Sequence, residues 1–185
     1  MTDETNARGD VARLRAIAHP LRLRIMSLLT AEAMSAAEVA RALGITHANA
    51  SYHLRLLHDI GELVLESEEK IRGGVAKRYR YDATLEVADR GHAVDDRIAY
   101  ARANGLEVER RLRDADRGSG SSSDLEAWVP VETWHRALDL LREASHLLHA
   151  AALPAGTPDT VHVSATTNAF TMTGGLTGEA VRWRP

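Results

Sequence analysis

Six polar residues between positions 46 and 55 belong to the types that proteins use to contact DNA: Thr46, His47, Asn49, Ser51, Tyr52 and Arg55. Asparagine can pair with adenine, arginine with guanine or phosphate, and hydroxyl groups with phosphate oxygens. Ala50, Leu54 and Leu57 recur among them at helical spacing, which predicts a helix with an apolar inner face and this polar set facing outwards. The helix should begin after an N-cap at Thr46, where backbone amides also attract anions. We expect His53 to be a partly buried, hydrogen-bonded support of this helix rather than a base contact.

A second group of candidate DNA contacts lies in residues 70–80, which contain five basic residues and no acidic one. This run includes a Gly-Gly pair and continues into alternating residues, a pattern that predicts a β-hairpin with the glycines near its tip. A glycine tip lets the backbone approach DNA closely. We therefore predict phosphate contacts from Arg72, Lys77 and Arg78.

The elements that must position these two groups can be placed from hydrophobic periodicity. Helical spacing predicts a first helix from Val11 to Ala18 and a second from Pro20 to about Leu29. Ser35 and Glu38 have the form of a capping box at the start of a third helix, which Gly44 ends. A helix, a tight turn, a second helix and a basic hairpin are the parts of a winged helix-turn-helix. The predicted fold class is therefore mainly α, with a small β-hairpin wing and further helices on the C-terminal side.

The remainder of the chain has a different composition. Leu85 to Leu112 is strongly charged and predicts one long or interrupted helix, and Val131 to Ala152 predicts a second amphipathic helix. Val161 to Phe170 has β-branched residues in near alternation, which predicts one strand or hairpin arm. We divide the chain into a disordered tail (1–9), a winged helix-turn-helix domain (10–83), a charged helical segment for dimerisation (84–117), a flexible linker (118–124) and a C-terminal helix with a short β or tail region (125–185).

Bulk composition narrows the class of protein. The chain has 185 residues, a formal charge of -3 and no cysteine, which excludes disulfides, thiolate metal sites and a cysteine nucleophile. The polar start of the chain does not resemble a signal peptide, and no run is long and apolar enough to span a membrane. We expect a cytoplasmic protein without a membrane partner.

The sequence gives no indication of an enzyme. It has no phosphate-binding loop, no Gly-x-Ser-x-Gly and no His-Glu-x-x-His. Asp95 and Asp96 are adjacent on a predicted charged helix, so their side chains should diverge into solvent. We therefore expect neither catalysis nor a cofactor.

The region from Arg13 to Asp82 resembles the ArsR-type winged-helix repressors. The matching stretches are Ile17 to Met26 (IAHPLRLRIM), Glu38 to Ile45 (EVARALGI), Ser51 to Gly61 (SYHLRLLHDIG) and the following Leu63-Val64. The resemblance implies a bacterial transcriptional repressor that binds a palindromic double-stranded operator as a homodimer and is released by a metal or another effector. It also implies pairing through the first helix and a helix after the wing, with the Trp134 to Ala152 helix as a further candidate.

Two effector classes known in this family are addressed by the sequence. A cysteine pair near the third helix is replaced by Met34, Ser35 and Ala36, so a thiolate-based sensor is excluded. The family's second type of metal site uses carboxylates and histidines on paired C-terminal helices, and the histidines that repeat part of that spacing are His135, His146 and His149. Eleven helical residues span about 16 Å, so the first two could share an ion only across a partner helix. The expected carboxylate position is Thr133, so we predict no metal site and keep these histidines as minor candidates.

Two other interpretations stay open. Within the same fold, the C-terminal region could bind a small apolar effector, with Trp128, Trp134 and Phe170 as candidate lining residues, or the regulator could respond to no effector and be controlled by its own concentration. Alternatively, the chain could be a protein-interaction adaptor that has kept the winged helix without specific DNA binding. The basic hairpin and the polar start of the fourth helix favour the DNA-binding interpretation.

Overall fold

The computed structural model describes residues 14–71, 74–81, 94–116, 118 and 120–172. Residues 14–17 are helical. The other elements, in chain order, are α1 (Pro20–Leu29), β1 (Met34–Ser35), α2 (Ala36–Leu43), α3 (His47–Asp59), β2 (Leu63–Ile71), β3 (Gly74–Tyr81), α4 (Val94–Leu112) and α5 (Val131–Ala150). This is a winged helix-turn-helix followed by C-terminal helices, as the sequence predicts.

The turn between α2 and α3 is defined by local hydrogen bonds at both of its ends. The predicted capping box is present at the start of α2, where the Ser35 side chain accepts from the Glu38 N–H and the Glu38 carboxylate accepts from the Ser35 N–H. Gly44 ends α2 in the left-handed region, with φ 66°, a conformation that costs glycine little. Thr46 then caps α3 by accepting from the Asn49 N–H. The chain therefore passes from α2 to α3 within three residues, and hydrogen bonds at both ends of the turn fix the position of α3 relative to α2.

The wing is an antiparallel sheet of three strands in the order β1-β3-β2. β2 and β3 form the predicted hairpin, whose tip residues 72 and 73 lie outside the described residues. The two-residue strand β1 pairs with β3 through Met34–Tyr79 and Ser35–Arg78, a contact that the sequence does not predict. β1 directly precedes α2, so this pairing attaches the wing to the base of the helix-turn-helix.

One hydrophobic core unites the helix-turn-helix with the wing. Its fully buried side chains include Ile25 and Leu29 of α1, Val39 of α2 and Leu54 of α3, and Tyr79 of β3 packs against the same cluster. Burial of a leucine or isoleucine stabilises a fold by about 1.5–3 kcal/mol per side chain. The core therefore holds α3 on the body of the domain with its opposite face outwards.

α4 packs against α1 and is joined to the N-terminal helices by two polar contacts. The Arg15 Nε donates to the Asp96 Oδ1 at 2.8 Å, and the Arg111 Nη2 donates to the Ser27 Oγ at 3.2 Å. Asp96 is buried, with 3% of its surface exposed. The expectation that both Asp95 and Asp96 face solvent is therefore wrong for Asp96, because Arg15 supplies the opposite charge that its burial needs.

The C-terminal part of the described chain is far more open. α5 has no buried residue, and residues 120–130 and 151–172 have no helix or strand. The strand predicted for Val161 to Phe170 is therefore not formed. A single extended segment becomes a strand only when another strand pairs with its backbone groups, and none lies beside it in the described residues. The predicted tail 1–9 and the start of the charged segment, 84–93, lie outside the described residues.

No helix within the described ranges has the length and apolarity needed to cross a membrane.

Candidate nucleic-acid interface

The inner face of α3 packs in the hydrophobic core. Ala50, Leu54 and Leu57 have no exposed surface, and His53 is 7% exposed. These four residues have the three- and four-residue spacing of one helix face. Their burial leaves the other side of α3 at the protein surface.

The outer face of α3 carries a stripe formed by Ala48, Ser51, Tyr52 and Arg55. These residues have the spacing i, i+3, i+4 and i+7 and so lie along one line on the helix. Tyr52 is 53% exposed, Ala48 and Arg55 are exposed, and Ser51 is half-buried. The Arg55 Nε donates to the carbonyl of Ser51 at 3.2 Å, which lays the guanidinium along the helix surface. Three of the residues predicted from sequence are therefore brought together on one stripe.

Ala48 was missed by the sequence analysis because the search was for polar types. It lies at the N-terminal end of the stripe and is exposed. A small apolar side chain at such a position can contact the methyl group of thymine. Projection of the sequence on a helix would have found it, since Ala48 precedes Ser51 and Tyr52 by three and four residues.

The first turn of α3 presents the other predicted contacts on this helix. Thr46, His47 and Asn49 are all exposed. The Thr46 Oγ1 accepts from the Asn49 N–H at 3.2 Å, so the threonine hydroxyl already has a structural role. No acidic residue occurs in this turn, which leaves the positive end of the helix dipole uncompensated. The turn therefore combines an exposed amide, an exposed imidazole and a local positive potential.

Two basic side chains of the wing, Lys77 and Arg80, have partners within the hairpin. The Lys77 Nζ lies 3.3 Å from Glu68 Oε1, and the Arg80 Nη1 lies 3.2 Å from Glu66 Oε2. All four side chains are about half exposed, so these ion pairs are weak and phosphate groups can compete for the cations. Arg72, the third predicted wing contact, lies outside the described residues.

Arg78 is engaged with the domain beneath the wing. Its Nη2 donates to the carbonyl of Ala33 at 2.6 Å, and its Nη1 lies 3.0 Å from Glu38 Oε1. Only 30% of the Arg78 side chain is exposed. The Ser35 N–H and hydroxyl donate to the Glu38 carboxylate and, with Arg78, hold the pKa of Glu38 below its ordinary value despite partial burial. Arg78 thus joins the wing to the capping box of α2, a role that the sequence analysis did not foresee.

Two histidines and an arginine meet beneath α3. The rings of His19 and His53 lie 5.5 Å apart, and the Arg22 guanidinium, which donates to the Ala16 carbonyl, is close to both. Burial and, secondarily, the positive charge of Arg22 lower the pKa of both imidazoles. The His53 Nδ1 is buried without a hydrogen-bond partner, so His53 is the buried support that we predicted, but its Nδ1 is not hydrogen-bonded.

The minor metal candidates all lie on α5. The His149 Nδ1 donates to the Ser145 carbonyl at 2.8 Å. His135 and His146 are exposed and eleven residues apart on the helix. Among the described residues, no group of three or more His, Asp or Glu side chains is arranged to hold a metal ion.

The three aromatic residues considered for an apolar effector differ in their surroundings. Trp128 and Phe170 are each more than half exposed, and Trp134 is half-buried. The Phe170 ring lies under the Arg97 guanidinium, 5.3 Å from its centroid. An effector that uses these residues stays a prediction.

Comparison with known protein families supports the assignment of the N-terminal region. A family model described as a helix-turn-helix domain matches residues 17–66, which extend from the residues before α1 into β2. No curated protein matches the sequence. The match covers α1 to α3, the same elements that carry the exposed stripe. Residues 17–66 are thus similar to a helix-turn-helix domain, the kind of unit that indicates a DNA-binding regulator rather than an enzyme.

Proposed function

We propose that this protein is a transcription regulator of the ArsR type that binds double-stranded operator DNA as a homodimer and represses transcription in the bacterial cytoplasm. The observation that carries the proposal is the outer face of α3. A stripe of Ala48, Ser51, Tyr52 and Arg55 stands opposite a fully buried face of the same helix. A helix held in this way can enter the major groove, which has room for one α-helix.

In the proposed complex, α3 and the wing contact different parts of the DNA. Asn49, Arg55 and His47 of α3 contact base edges, while the hydroxyl groups of Thr46, Ser51 and Tyr52 donate to phosphate oxygens. Lys77 and Arg72 of the wing contact phosphates beside the groove. Lys77 would exchange its partner Glu68 for a phosphate group, since exposed ion pairs contribute little.

Arg78 receives a revised role in this proposal. Its guanidinium already donates to Glu38 and to the Ala33 carbonyl, so we assign it to positioning the wing. Loss of Arg78 would then weaken DNA binding by moving the wing rather than by removing a phosphate contact.

The test is a titration of purified full-length protein on the DNA upstream of its own gene at two salt concentrations. Arg55→Ala should weaken binding by about 1–3 kcal/mol if the guanidinium reads a base, and Lys77→Ala should reduce the salt slope by about one unit. Arg102→Ala is the matched control, because Arg102 is an exposed arginine on α4 far along the chain from α3. It should bind as the parent does.

The outcome also separates this function from the adaptor interpretation. Specific binding should survive an excess of unrelated DNA and weaken in Arg55→Ala. Binding that salt or competitor DNA abolishes, with equal affinity for the parent and Arg55→Ala, would favour an adaptor without specific DNA recognition.

A further inference from the structure

His19 is an exposed side chain whose two ring nitrogens have different roles. It is the N-cap of α1, and its Nδ1 accepts from the Leu21 N–H at 3.2 Å. A neutral imidazole carries one proton, so a ring whose Nδ1 accepts a hydrogen bond carries that proton on Nε2. Partial burial and the positive charge of Arg22 lower the pKa of His19, which favours the neutral ring. His19 therefore presents an Nε2–H donor, for which no described residue is an acceptor.

Ring contacts place this donor beside the outer face of α3. The centroid of the His19 ring lies 5.5 Å from that of His53, which lies 5.1 Å from that of Tyr52. Tyr52 belongs to the exposed stripe, and the exposed Asn49 precedes His53 by one helical turn. The His19 imidazole is thus packed at the edge of α3, next to two residues that the proposed function assigns to DNA contacts.

The same contacts hold the His19 ring in one place. His53, against which it packs, is 7% exposed and belongs to the buried face of α3. The hydrogen bond from the Leu21 N–H fixes the ring from its other side. A side chain that is already ordered loses little conformational entropy when its free donor binds a ligand. The Nε2–H of His19 is therefore a preorganised donor.

The electrostatic surroundings of His19 favour an anion as its ligand. The first turn of α1 contains no acidic residue, so the positive end of its helix dipole is uncompensated. The Arg22 guanidinium acts on both His19 and His53 and adds a full positive charge. A metal ion would be repelled here, whereas a phosphate group would be attracted. The DNA backbone supplies such groups along both edges of the groove that α3 enters in the proposed complex.

We propose that His19 binds the operator backbone by donating its Nε2–H to a phosphate oxygen. The proposal rests on the DNA binding of the proposed function and adds the start of α1 to α3 and the wing as a third contact. Contacts to phosphates fix the orientation of a protein on the duplex without reading bases. A neutral imidazole carries no charge to release a counterion, so this contact differs from that of Lys77 in its salt dependence.

The first test compares full-length parent and His19→Ser on the DNA upstream of the protein's own gene, at pH 8 and two salt concentrations. Serine is a favoured N-cap, so it keeps the cap of α1, but its hydroxyl is too short to replace Nε2–H. The Kd should rise roughly tenfold, as expected for loss of a hydrogen bond to a charged group, and the salt slope should stay unchanged. His162→Ser alters an exposed histidine outside the winged domain and should bind as the parent does. An unchanged Kd in His19→Ser would overturn the proposal.

The second test distinguishes a direct contact from a loosened α3. Each phosphate of the protected DNA is replaced in turn by an uncharged methylphosphonate. At the phosphate that His19 contacts, the replacement should weaken the parent more than it weakens His19→Ser, because the variant has already lost that hydrogen bond. His19→Asn, which also keeps a favoured N-cap, should give the same pattern. Additive losses at every phosphate would show that His19 acts only through the fold and would overturn the proposal.

A third measurement needs no variant. Nitrogen-15 spectra of histidine-labelled parent at pH 8 should show His19 as the neutral ring with its proton on Nε2. A proton on Nδ1 would contradict the cap and overturn the proposal.

Failure of this proposal is distinguishable from failure of the proposed function. Specific binding that is weakened by Arg55→Ala but not by His19→Ser would remove the phosphate contact and leave the regulator. A parent that binds its upstream DNA without specificity would remove the regulator and, with it, the operator contact of His19.

Discussion

Residues 14–81 and residues 120–172 of this chain are stabilised in different ways. The first region encloses a core of buried side chains drawn from the helical residues 14–17, from α1 to α3 and from the sheet, including Ile25, Leu54 and Tyr79. The second region contains a 20-residue helix and two irregular segments, and none of its residues is buried. Its apolar residues, among them Leu147 and Val161, face outwards. The first region thus buries its apolar side chains within one chain, whereas the second leaves apolar side chains exposed, where another molecule could contact them.

This difference also separates the two proposed activities. DNA contacts require side chains held on a rigid support, and α3 has such a support because its inner face is buried. Subunit pairing requires exposed apolar surface, and α5 offers such surface because none of its residues is buried within the chain. Three predictions, each tested by substitution, show how far this division holds.

The largest effect is expected in the core under α3. Leu54→Ala should lower the free energy of unfolding by about 2–5 kcal/mol, because Leu54 is fully buried and its truncation leaves a cavity. Leu153→Ala makes the same chemical change in the C-terminal region, where Leu153 is 56% exposed. It should change the stability by less than about 0.5 kcal/mol. Urea denaturation measures both, and equal losses would show that the two regions share one core.

A smaller effect is expected where the wing joins α2. Arg78→Lys keeps the charge but cannot donate to both Glu38 and the Ala33 carbonyl, so the free energy of unfolding should fall by about 1–2 kcal/mol. If Arg78 were instead a phosphate contact only, the lysine variant would be as stable as the parent and would bind DNA nearly as well.

The pH dependence of stability provides a control for this prediction, because Arg78 contacts the carboxylate of Glu38. The pKa of Glu38 is lower in the folded protein than its ordinary value, so its contribution to stability is present above that ordinary value and is lost as the pH falls through the folded pKa. Glu38→Gln should remove this part of the loss of stability at low pH. Arg78→Lys should shrink it without removing it, since the Ser35 donors remain.

Much of the winged domain could be predicted because its signals are local. The capping box at Ser35 and Glu38, the glycine at 44 and the cap at Thr46 each follow from a few neighbouring residues, and the structure confirms all of them. The outer residues of α3 followed from helical spacing alone. These features depend on backbone geometry within one or two turns.

The features that were predicted wrongly or not at all depend on contacts between residues distant in sequence. Pairing of β1 with β3, the engagement of Arg78 with Glu38 and the burial of Asp96 against Arg15 each join residues at least forty positions apart. The alternation in residues 161–170 predicted a strand, but a strand also needs a neighbour, which no local pattern reveals. Sequence therefore predicted which polar residues of α3 lie at the surface, but not which basic residue of the wing joins it to the rest of the domain.

The smallest effect is expected from the buried imidazole beneath α3, a feature without counterpart among the exposed residues of the C-terminal region. Burial lowers the pKa of His53 in the folded protein, so the unfolded chain binds more protons between the folded pKa and about 6.5. Stability should thus be full above about pH 6.5 and fall as the solution is acidified. His53→Leu removes the titrating group and an unpartnered buried nitrogen, so it should cost less than about 1 kcal/mol at pH 8 and should flatten the decline towards pH 5. Plots of the free energy of unfolding against pH should run parallel for the parent and the variant above pH 7 and diverge below it. If they stayed parallel down to pH 5, protonation of His53 would not oppose packing of α3 on the core.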